Sequence, residues 1–317
     1  MTTGWDIMVN NHKIAVTTVA FSKNEYLRRR LLDIFPNAKF NDSLKRLSKG
    51  ELKVFLGDAQ GAIVGLDVID SELLCSCKKL QVISKYGVGL NNIDFEAADQ
   101  HNVKIVHTQG VNKRSVAELA LANILSLCRN SYITSNLLKQ GKWYKDGGSQ
   151  LSGKTVGIIG VGHIGKDLVN LLKPFFCKIL VNDIIDQSRY YCENGLMEVS
   201  KEEVFKNSDV ISMHVPATKE TENMINKDVL SLMKPTAFFI NTARGDIVVQ
   251  NDLKWALQNN VIAGAAIDVY NSEPPTDQEF ISLPNLICTP HIGGNAKEAV
   301  ILMGESAIEN LKKYFIG

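Results

Sequence analysis

The stretch Thr155-Val-Gly-Ile-Ile159, followed at once by Gly160-Val-Gly162-His-Ile-Gly165, is the strongest indication of the fold of this 317-residue chain. The first five residues form the short apolar run of a buried parallel strand, and the glycine loop leads into a predicted helix over Lys166–Leu172. In this pattern the first glycine allows a tight turn, the second lets the backbone approach a pyrophosphate, and the third lets helix and strand pack closely. The helix N-terminus adds unpaired N–H groups and a positive dipole end, which favour an anion. The stretch therefore predicts a dinucleotide-binding unit.

An acidic residue stands where the ribose of a dinucleotide needs one. Asp183 closes the next predicted strand, 18 residues after Gly165, and Asp186 adds negative charge nearby. A carboxylate at this position accepts hydrogen bonds from the ribose hydroxyls and repels a 2′-phosphate, which favours NAD over NADP. The glycine loop alone leaves two alternatives open, a methyltransferase that binds S-adenosylmethionine and a glycine turn that binds nothing.

Short β-branched runs alternate with amphipathic helical stretches along the chain, which predicts parallel sheets covered by helices on both faces. In the first third the predicted strands are Lys13–Ala20, Ala62–Val64, Gln81–Ser84 and Lys104–His107, and the predicted helices are Asn24–Phe35, Lys49–Leu56, Ser71–Lys78 and Phe95–Gln100. The second series of predicted strands is Thr155–Ile159, Lys178–Asn182, Val210–His214, Ala237–Asn241, Ile262–Ile267 and Leu286–Thr289.

Two longer helices are predicted outside these series. One starts at Ser115, where Ser115 and Glu118 have the spacing of a capping box, and continues to about Leu138. The other, Asn295–Phe315, ends the chain and is expected to return to the first unit. We therefore predict an α/β fold of two doubly wound parallel-sheet domains. A Rossmann cofactor domain, residues 111–289, is inserted into a flavodoxin-like substrate domain, residues 1–110 and 290–317.

Composition narrows the class of protein. The chain is 45% hydrophobic and 22% charged with a net charge of +1, so neither nucleic acid nor an anionic membrane is expected as a partner. The six scattered cysteines have no metal-binding spacing, and free thiols in a reducing compartment are expected. The N-terminal Met1-Thr-Thr-Gly-Trp-Asp6 lacks the pattern of a signal peptide, and no apolar run reaches membrane-spanning length. These features predict a cytoplasmic protein.

Three polar residues stand just beyond predicted strands, at the edge of a parallel sheet where ligands bind. Arg244, Glu273 and His291 match the needs of 2-keto acid reduction. A fixed guanidinium binds the carboxylate and polarises the ketone. An imidazole delivers a proton near neutral pH, and an acid orients that imidazole and stabilises its protonated form. Each residue alone has a structural alternative, but their joint placement favours a dehydrogenase over a methyltransferase.

From about Ala62 to its end, the chain resembles the D-isomer-specific 2-hydroxyacid dehydrogenases, the family of phosphoglycerate dehydrogenase and glyoxylate/hydroxypyruvate reductase. The resemblance is carried by an ordered set of motifs: Lys85-Tyr-Gly-Val-Gly-Leu-Asn-Asn-Ile-Asp94, Ser115-Val-Ala-Glu-Leu-Ala120, the glycine loop, His214-Val-Pro216, Asn241-Thr-Ala-Arg-Gly-Asp246, Ala266-Ile-Asp-Val269 and Thr289-Pro-His-Ile-Gly-Gly294.

The resemblance implies roles for individual residues. Arg244, Glu273 and His291 match the substrate-binding arginine and the catalytic Glu–His pair, and Asp268 matches an acid that contacts the nicotinamide carboxamide. The implied cofactor-binding residues are Gly160, Gly162, His163, Ile164, Gly165, Asp183, His214, Val215, Pro216, Thr242, Ala243, Arg244, Asp268, His291, Gly293 and Gly294. The implied substrate-binding residues are Leu66, Val88, Gly89, Arg244 and His291. The resemblance also implies NAD, a small 2-keto or 2-hydroxy acid substrate, no metal and a homodimer.

Departures from the family pattern narrow the range of expected substrates. Phosphoglycerate dehydrogenases usually carry a basic residue in the loop where this chain reads Gly65-Leu-Asp67, so a phosphorylated substrate is expected to meet an acid there. Glu273 argues against membership of the formate dehydrogenase branch of the family, which has glutamine at this position. Asn91 occupies a position where the family more often has aspartate. Phosphoglycerate dehydrogenase remains an alternative. A sensor of NAD(H) resembling the C-terminal-binding corepressors is another, because those proteins have this fold and a similar triad.

Overall fold

A computed structural model describes residues 10–317 of the chain, and the N-terminal stretch used above to argue against a signal peptide lies outside them. The chain forms two compact units. Unit one comprises the described residues up to Asn112 together with Asn295–Gly317, and unit two is Lys113–Gly294. The chain therefore passes between units at 112/113 and 294/295, where the sequence predicted 110/111 and 289/290, and His291 lies in unit two.

The strands of both units are numbered in chain order. They are β1 Ile14–Val16, β2 Lys39–Phe40, β3 Gly61–Val64, β4 Val82–Lys85, β5 Lys104–Val106, β6 Thr155–Ile159, β7 Lys178–Asn182, β8 Met197–Glu198, β9 Val210–Met213, β10 Phe238–Asn241, β11 Gly264–Ile267 and β12 Leu286–Cys288. All strand pairs in the two sheets are parallel.

The helices are α1 Val19–Ser22, α2 Glu25–Leu32, α3 Lys49–Leu56, α4 Ser71–Ser76, α5 Phe95–Gln100, α6 Lys113–Cys128, α7 Ser131–Lys139, α8 His163–Leu172, α9 Ser188–Asn194, α10 Lys201–Asn207, α11 Lys227–Leu232, α12 Gln250–Gln258, α13 Gln278–Ile281 and α14 Lys297–Phe315. None of the helices among residues 10–317 has the length and apolarity needed to span a membrane.

The sheet of unit one has the strand order β2-β1-β3-β4-β5, which is the flavodoxin-like order. Alternate residues of its strands point to opposite faces, as the pleat requires. Ile14, Val16 and Ile63 join the apolar cluster that contains α14 residues, whereas Ala62 and Val64 join the cluster on the other face. Because both faces of the sheet are buried, the sequences of these strands are continuous apolar runs.

The sheet of unit two has the order β12-β11-β10-β9-β6-β7-β8, which is the Rossmann order with the reversal at β6. Apolar clusters cover both of its faces. The predicted fold class of two doubly wound parallel sheets is confirmed. The glycine loop after β6 lies at the topological switch point, where open α/β sheets bind ligands.

The first predicted strand, Lys13–Ala20, was too long, because β1 ends at Val16 and α1 starts at Val19. The hydroxyl of Thr18 accepts a hydrogen bond from the N–H of Phe21 at 3.2 Å and caps α1. Threonine is common both in strands and at helix N-caps. The β-branched run therefore gave no indication of the boundary between β1 and α1.

The predicted long helix from Ser115 to Leu138 is two helices, α6 and α7. Asn130 between them is left-handed with φ 50°, and Ser149 donates its N–H to the carbonyl of Cys128 at 2.7 Å. The Cys128 carbonyl therefore bonds to Ser149, whereas in a continuous helix it would accept an N–H from the next turn. The predicted capping box is also wrong, because α6 begins at Lys113 and the hydroxyl of Ser115 donates to the carbonyl of Gly293.

Candidate active site

The glycine loop lies between β6 and α8, and two of its glycines are required by close packing. Gly160 has φ 90°, and a Cβ there would lie 2.6 Å from the carbonyl oxygen of His214. A Cβ on Gly165 would lie 2.3 Å from the carbonyl oxygen of Gly160, so helix and strand approach too closely for a side chain. Gly162 caps α8, and no atom lies within 4 Å of the position of its Cβ, which leaves space for a ligand. The helix begins at His163, three residues before the predicted start at Lys166.

Asp183, predicted to bind the ribose, holds the glycine loop itself. Its Oδ2 accepts the N–H of Val161 at 2.6 Å, and its Oδ1 accepts the N–H of Ile185 at 3.0 Å. The amide of Gln187 adds a third, longer bond to Oδ2 at 3.4 Å. An ionised carboxylate has about four acceptor positions, so these three bonds leave capacity for a ribose hydroxyl. Gln187 donates to the carbonyl of Val161 at 3.2 Å and completes this turn.

Two buried polar atoms follow adjacent strands of unit two. Nδ1 of His214, after β9, and Oγ1 of Thr242, after β10, have no hydrogen-bond partner among residues 10–317. Burial lowers the pKa of His214 to about 4, so its imidazole is neutral, and its Nε2 is bonded to Ser212 at 2.9 Å. Buried polar groups normally have partners, so a ligand with hydrogen-bonding groups fits this edge of the sheet. The residues present therefore fit a dinucleotide. Val215, Pro216 and Ala243 share these two strand ends.

Arg244 lies in a turn that is fixed by its own neighbours. The side-chain oxygen of Asn241 accepts the N–H of Ala243 at 3.0 Å, and its amide donates to the carbonyl of Arg244 at 2.9 Å. A Cβ on Gly245 would lie 2.1 Å from the carbonyl carbon of Tyr270, so this turn passes against the segment after β11. This role of Asn241 was not predicted from the sequence. An asparagine at a strand end that bonds its own backbone two residues on is the signal.

His291 and Glu273 form a hydrogen-bonded pair. Nδ1 of His291 lies 2.8 Å from Oε2 and 3.0 Å from Oε1 of Glu273. A carboxylate only accepts, so the Nδ1 atom of His291 carries the proton of this contact. The N–H of Tyr270 donates to Oε1 of Glu273 at 3.3 Å, and its hydroxyl donates to the carbonyl of Thr289 at 3.0 Å. Burial raises the pKa of Tyr270, which keeps the phenol protonated as a donor.

Arg244 and Glu273 interact electrostatically. Burial lowers the pKa of the Arg244 guanidinium from its usual value, and the negative charges of Glu273 and Asp246 oppose that change. The structure thus brings a partly desolvated cation near the carboxylate that bonds His291. Charge-assisted hydrogen bonds from such a cation to a substrate carboxylate are stronger than in open water.

Asp268 anchors the turn that carries His291. It is 1% exposed, and its carboxylate accepts from the hydroxyl of Thr289 at 2.6 Å and from the N–H groups of Ile292 at 2.8 Å and Gly293 at 2.7 Å. His291 has φ 54°, a left-handed conformation that is uncommon for residues other than glycine. Three bonds from one carboxylate stabilise this backbone. The resemblance implied only a nicotinamide contact for Asp268, and that contact remains a prediction.

The loop of unit one that includes Leu66 differs from the sequence-based interpretation. Asp67 is 6% exposed, and its carboxylate accepts from the hydroxyl of Thr17. The expectation that a phosphorylated substrate meets this acid is therefore wrong. A cation also reaches the loop from elsewhere in the chain, because Arg46 donates to the carbonyl of Leu66 at 2.6 Å. Neither contact has a local sequence signal.

Among the described residues no group of three or more histidine, cysteine, aspartate or glutamate side chains has the geometry of a metal site. The described cysteines form no disulfide.

Residues 121–293 match the model of the D-isomer specific 2-hydroxyacid dehydrogenase, NAD binding domain. The chain is 39% identical over 254 residues to a glyoxylate reductase of Thermococcus litoralis, covering 77% of each protein. The chain belongs to the D-isomer-specific 2-hydroxyacid dehydrogenase family. It is therefore an NAD-dependent oxidoreductase that acts on 2-hydroxy acids.

Two further relatives of this dehydrogenase extend the comparison. A hydroxypyruvate reductase of Thermotoga maritima is 33% identical over 275 residues, which cover 85% of this chain and 89% of that protein. The solved structure of a D-lactate dehydrogenase from Aquifex aeolicus, complexed with NAD and lactic acid, is similar with a TM-score of 0.82. It is 27% identical and covers 95% of both chains.

Proposed function

We propose that this dehydrogenase interconverts a small 2-keto acid and its D-2-hydroxy acid with Arg244, Glu273 and His291 as its catalytic residues. The observation that carries the proposal is the two-oxygen contact of Glu273 with Nδ1 of His291, at 2.8 and 3.0 Å. That contact fixes the imidazole and presents Nε2 as the proton-exchanging atom. The bound NAD supplies or accepts the hydride.

In reduction, the protonated Nε2 of His291 gives its proton to the oxygen of the former ketone, and in oxidation it takes the proton back. Glu273 stabilises the imidazolium by its negative charge. Arg244 binds the substrate carboxylate and polarises the keto oxygen, since a guanidinium presents two parallel N–H donors. Leu66, Val88 and Gly89 of unit one are proposed to contribute to substrate binding.

We propose glyoxylate, hydroxypyruvate or pyruvate as the substrate. Two of the relatives reported above are named as reductases of such acids, one of glyoxylate and the other of hydroxypyruvate. The test is NADH oxidation measured with a panel of 2-keto acids, with 3-phosphohydroxypyruvate included. A large preference for the phosphorylated acid over hydroxypyruvate would overturn the unphosphorylated assignment. One observation favours the phosphorylated substrate: the cationic side chain of Arg46 contacts the carbonyl of Leu66, in the loop proposed to bind substrate.

The NAD(H)-sensing alternative makes a different prediction. A sensor binds NADH tightly and turns over no keto acid, whereas the proposed enzyme does both. Protein fluorescence titration with NADH and the same substrate panel separate the two.

We propose that the enzyme is a homodimer in the cytoplasm. Residues 141–150 are all exposed, and they include Trp143, which is 78% exposed, and Tyr144, which is 52% exposed. Exposed aromatic side chains in one segment are typical of a surface that another protein covers. Light scattering after gel filtration tests the dimer, and Trp143→Ser is expected to weaken it. Cell fractionation tests the location.

A further inference from the structure

Lys85 is a buried cation in unit one to which the proposed mechanism assigns no role. It ends β4 and is 4% exposed. Its ammonium donates to the carbonyl of Gly65 and, at 2.9 Å, to Oδ1 of Asn92. Lysine is rarely buried to this extent, because its charge must be satisfied by well-placed acceptors. The two acceptors therefore account for the burial of the Lys85 ammonium.

Asn92 continues the network from Lys85 to the loop after β3. Its amide donates to the carbonyl of Gly65 at 3.1 Å and to the carbonyl of Asp67. Its own carbonyl accepts the N–H of Ile69 at 2.9 Å. Lys85 and Asn92 thus join the loop after β3 and the loop after β4 into one hydrogen-bonded assembly.

The bond between Lys85 and Asn92 also closes the segment 85–92 on itself. Val88 and Gly89 lie at the middle of this closed segment. Among residues 10–317 no hydrogen bond from the N–H of Val88 or Gly89 to another protein group is present. The carbonyls of the neighbouring loop are bonded to side chains, whereas these two N–H groups remain available to an anion.

We propose that Lys85 is a positioning residue that holds the Val88–Gly89 backbone in place for the substrate carboxylate, with Asn92 as its partner. The proposal rests on the proposed function, in which these amides bind that carboxylate. Donors that are fixed before binding cost no reorganisation when the anion arrives. The positive charge under the loop adds a favourable potential for an anion.

The test uses Lys85→Met, which keeps the length of the side chain and removes its donors. We expect the KM for glyoxylate to rise at least tenfold, and the inhibition constant of oxamate, a non-reacting keto acid analogue, to rise by the same factor. The KM for NADH should change less than twofold, because the residues predicted to bind the cofactor lie in unit two. A loss of binding made equally in ground and transition states raises KM and leaves kcat unchanged.

Two further variants separate positioning from stability. Lys85→Arg restores the charge and donors, so its glyoxylate KM should lie closer to that of the wild type. Lys104→Met makes the same change at an exposed lysine that starts β5, and it should leave both constants unchanged. If Lys85→Met lowers the melting temperature and the active fraction but leaves KM and oxamate inhibition unchanged, the role is structural only and the proposal is wrong.

If Lys85→Met does not fold, Asn92→Ala removes the acceptor while keeping the lysine, and the same rise in KM is expected. A wild-type protein without keto acid turnover would overturn the proposed function. Oxamate binding to the NADH complex, measured by fluorescence, would still test Lys85 in that case. Equal oxamate affinity of the wild type and Asn92→Ala would contradict the inference by itself.

Discussion

The buried carboxylate of Asp268 lies 2.7 Å from the backbone nitrogen of Gly293, two residues after His291. With the bonds to Thr289 and Ile292, it holds the turn in which His291 is left-handed. The position of the proposed proton donor therefore depends on an acid that follows a different strand.

Asp268→Asn should lower kcat about tenfold to a hundredfold and destabilise the protein by about 1–3 kcal/mol, because an amide offers one acceptor oxygen and turns its NH2 towards an N–H donor. Steady-state kinetics and thermal unfolding measure the two effects. Asp228→Asn, an exposed acid on α11, is the control. Unchanged kcat in Asp268→Asn would show that the turn keeps His291 in place without this carboxylate.

Glu273→Gln tests the pair with His291. Glutamine still accepts the Nδ1 proton but has no negative charge to stabilise the imidazolium. We expect reduction to slow about tenfold to a hundredfold, because the proton transfer loses the negative charge that stabilises the cationic donor. The measurement is kcat/KM for glyoxylate reduction at a fixed pH. An unchanged kcat/KM would contradict the proposed pairing.

Arg244→Lys should lower kcat/KM for keto acids about a hundredfold, although the charge is kept. An ammonium lacks the planar pair of donors and does not replace a bidentate contact. NADH binding, followed by fluorescence, should fall by a smaller factor, because Arg244 is also among the residues predicted to contact the cofactor. Comparable losses in keto acid and NADH binding would indicate a disturbed turn rather than a lost substrate contact.

Asp183 is expected to affect both cofactor choice and stability, because it bonds the N–H of Val161 at 2.6 Å. Asp183→Asn keeps an acceptor for that N–H and removes the charge that repels a 2′-phosphate, so the NADPH/NADH ratio of kcat/KM should rise at least tenfold. Asp183→Ala should raise the ratio as well but lower the melting temperature further. Equal melting temperatures of the two variants would show that the bond to Val161 contributes no stability.

His214 predicts a pH dependence of stability. Its folded-state pKa of about 4 lies below the ordinary histidine value of 6.5, so the unfolded chain binds the proton first as pH falls. Stability from the neutral imidazole is therefore full above about pH 6.5 and is lost progressively as pH falls towards 4. His214→Gln, which keeps a partner for Ser212, should show a smaller fall in melting temperature between pH 7 and 5. His101→Gln in unit one is the control, and an equal fall in all three proteins would exclude His214 as the cause.

Local patterns predicted most of the fold. The strands Thr155–Ile159 and Lys178–Asn182 and the helices Lys49–Leu56 and Phe95–Gln100 were predicted with the observed bounds, because apolar runs and caps are properties of neighbouring residues. The break at Asn130 was missed, because it depends on a chain segment that returns about 20 residues later to bond Cys128. The two-residue strands β2 and β8 are too short to have a periodicity.

Local sequence was enough to indicate which residues carry the proposed chemistry, namely the glycine loop with Asp183 and the strand-end residues Arg244, Glu273 and His291. The folded chain was needed to show that Asp183 also holds the glycine loop through Val161. It was also needed to show that Asp67 is buried against Thr17, which is 50 residues away in the chain. The physical reason is that side-chain partners far apart in sequence leave no local pattern, whereas strands and turns do.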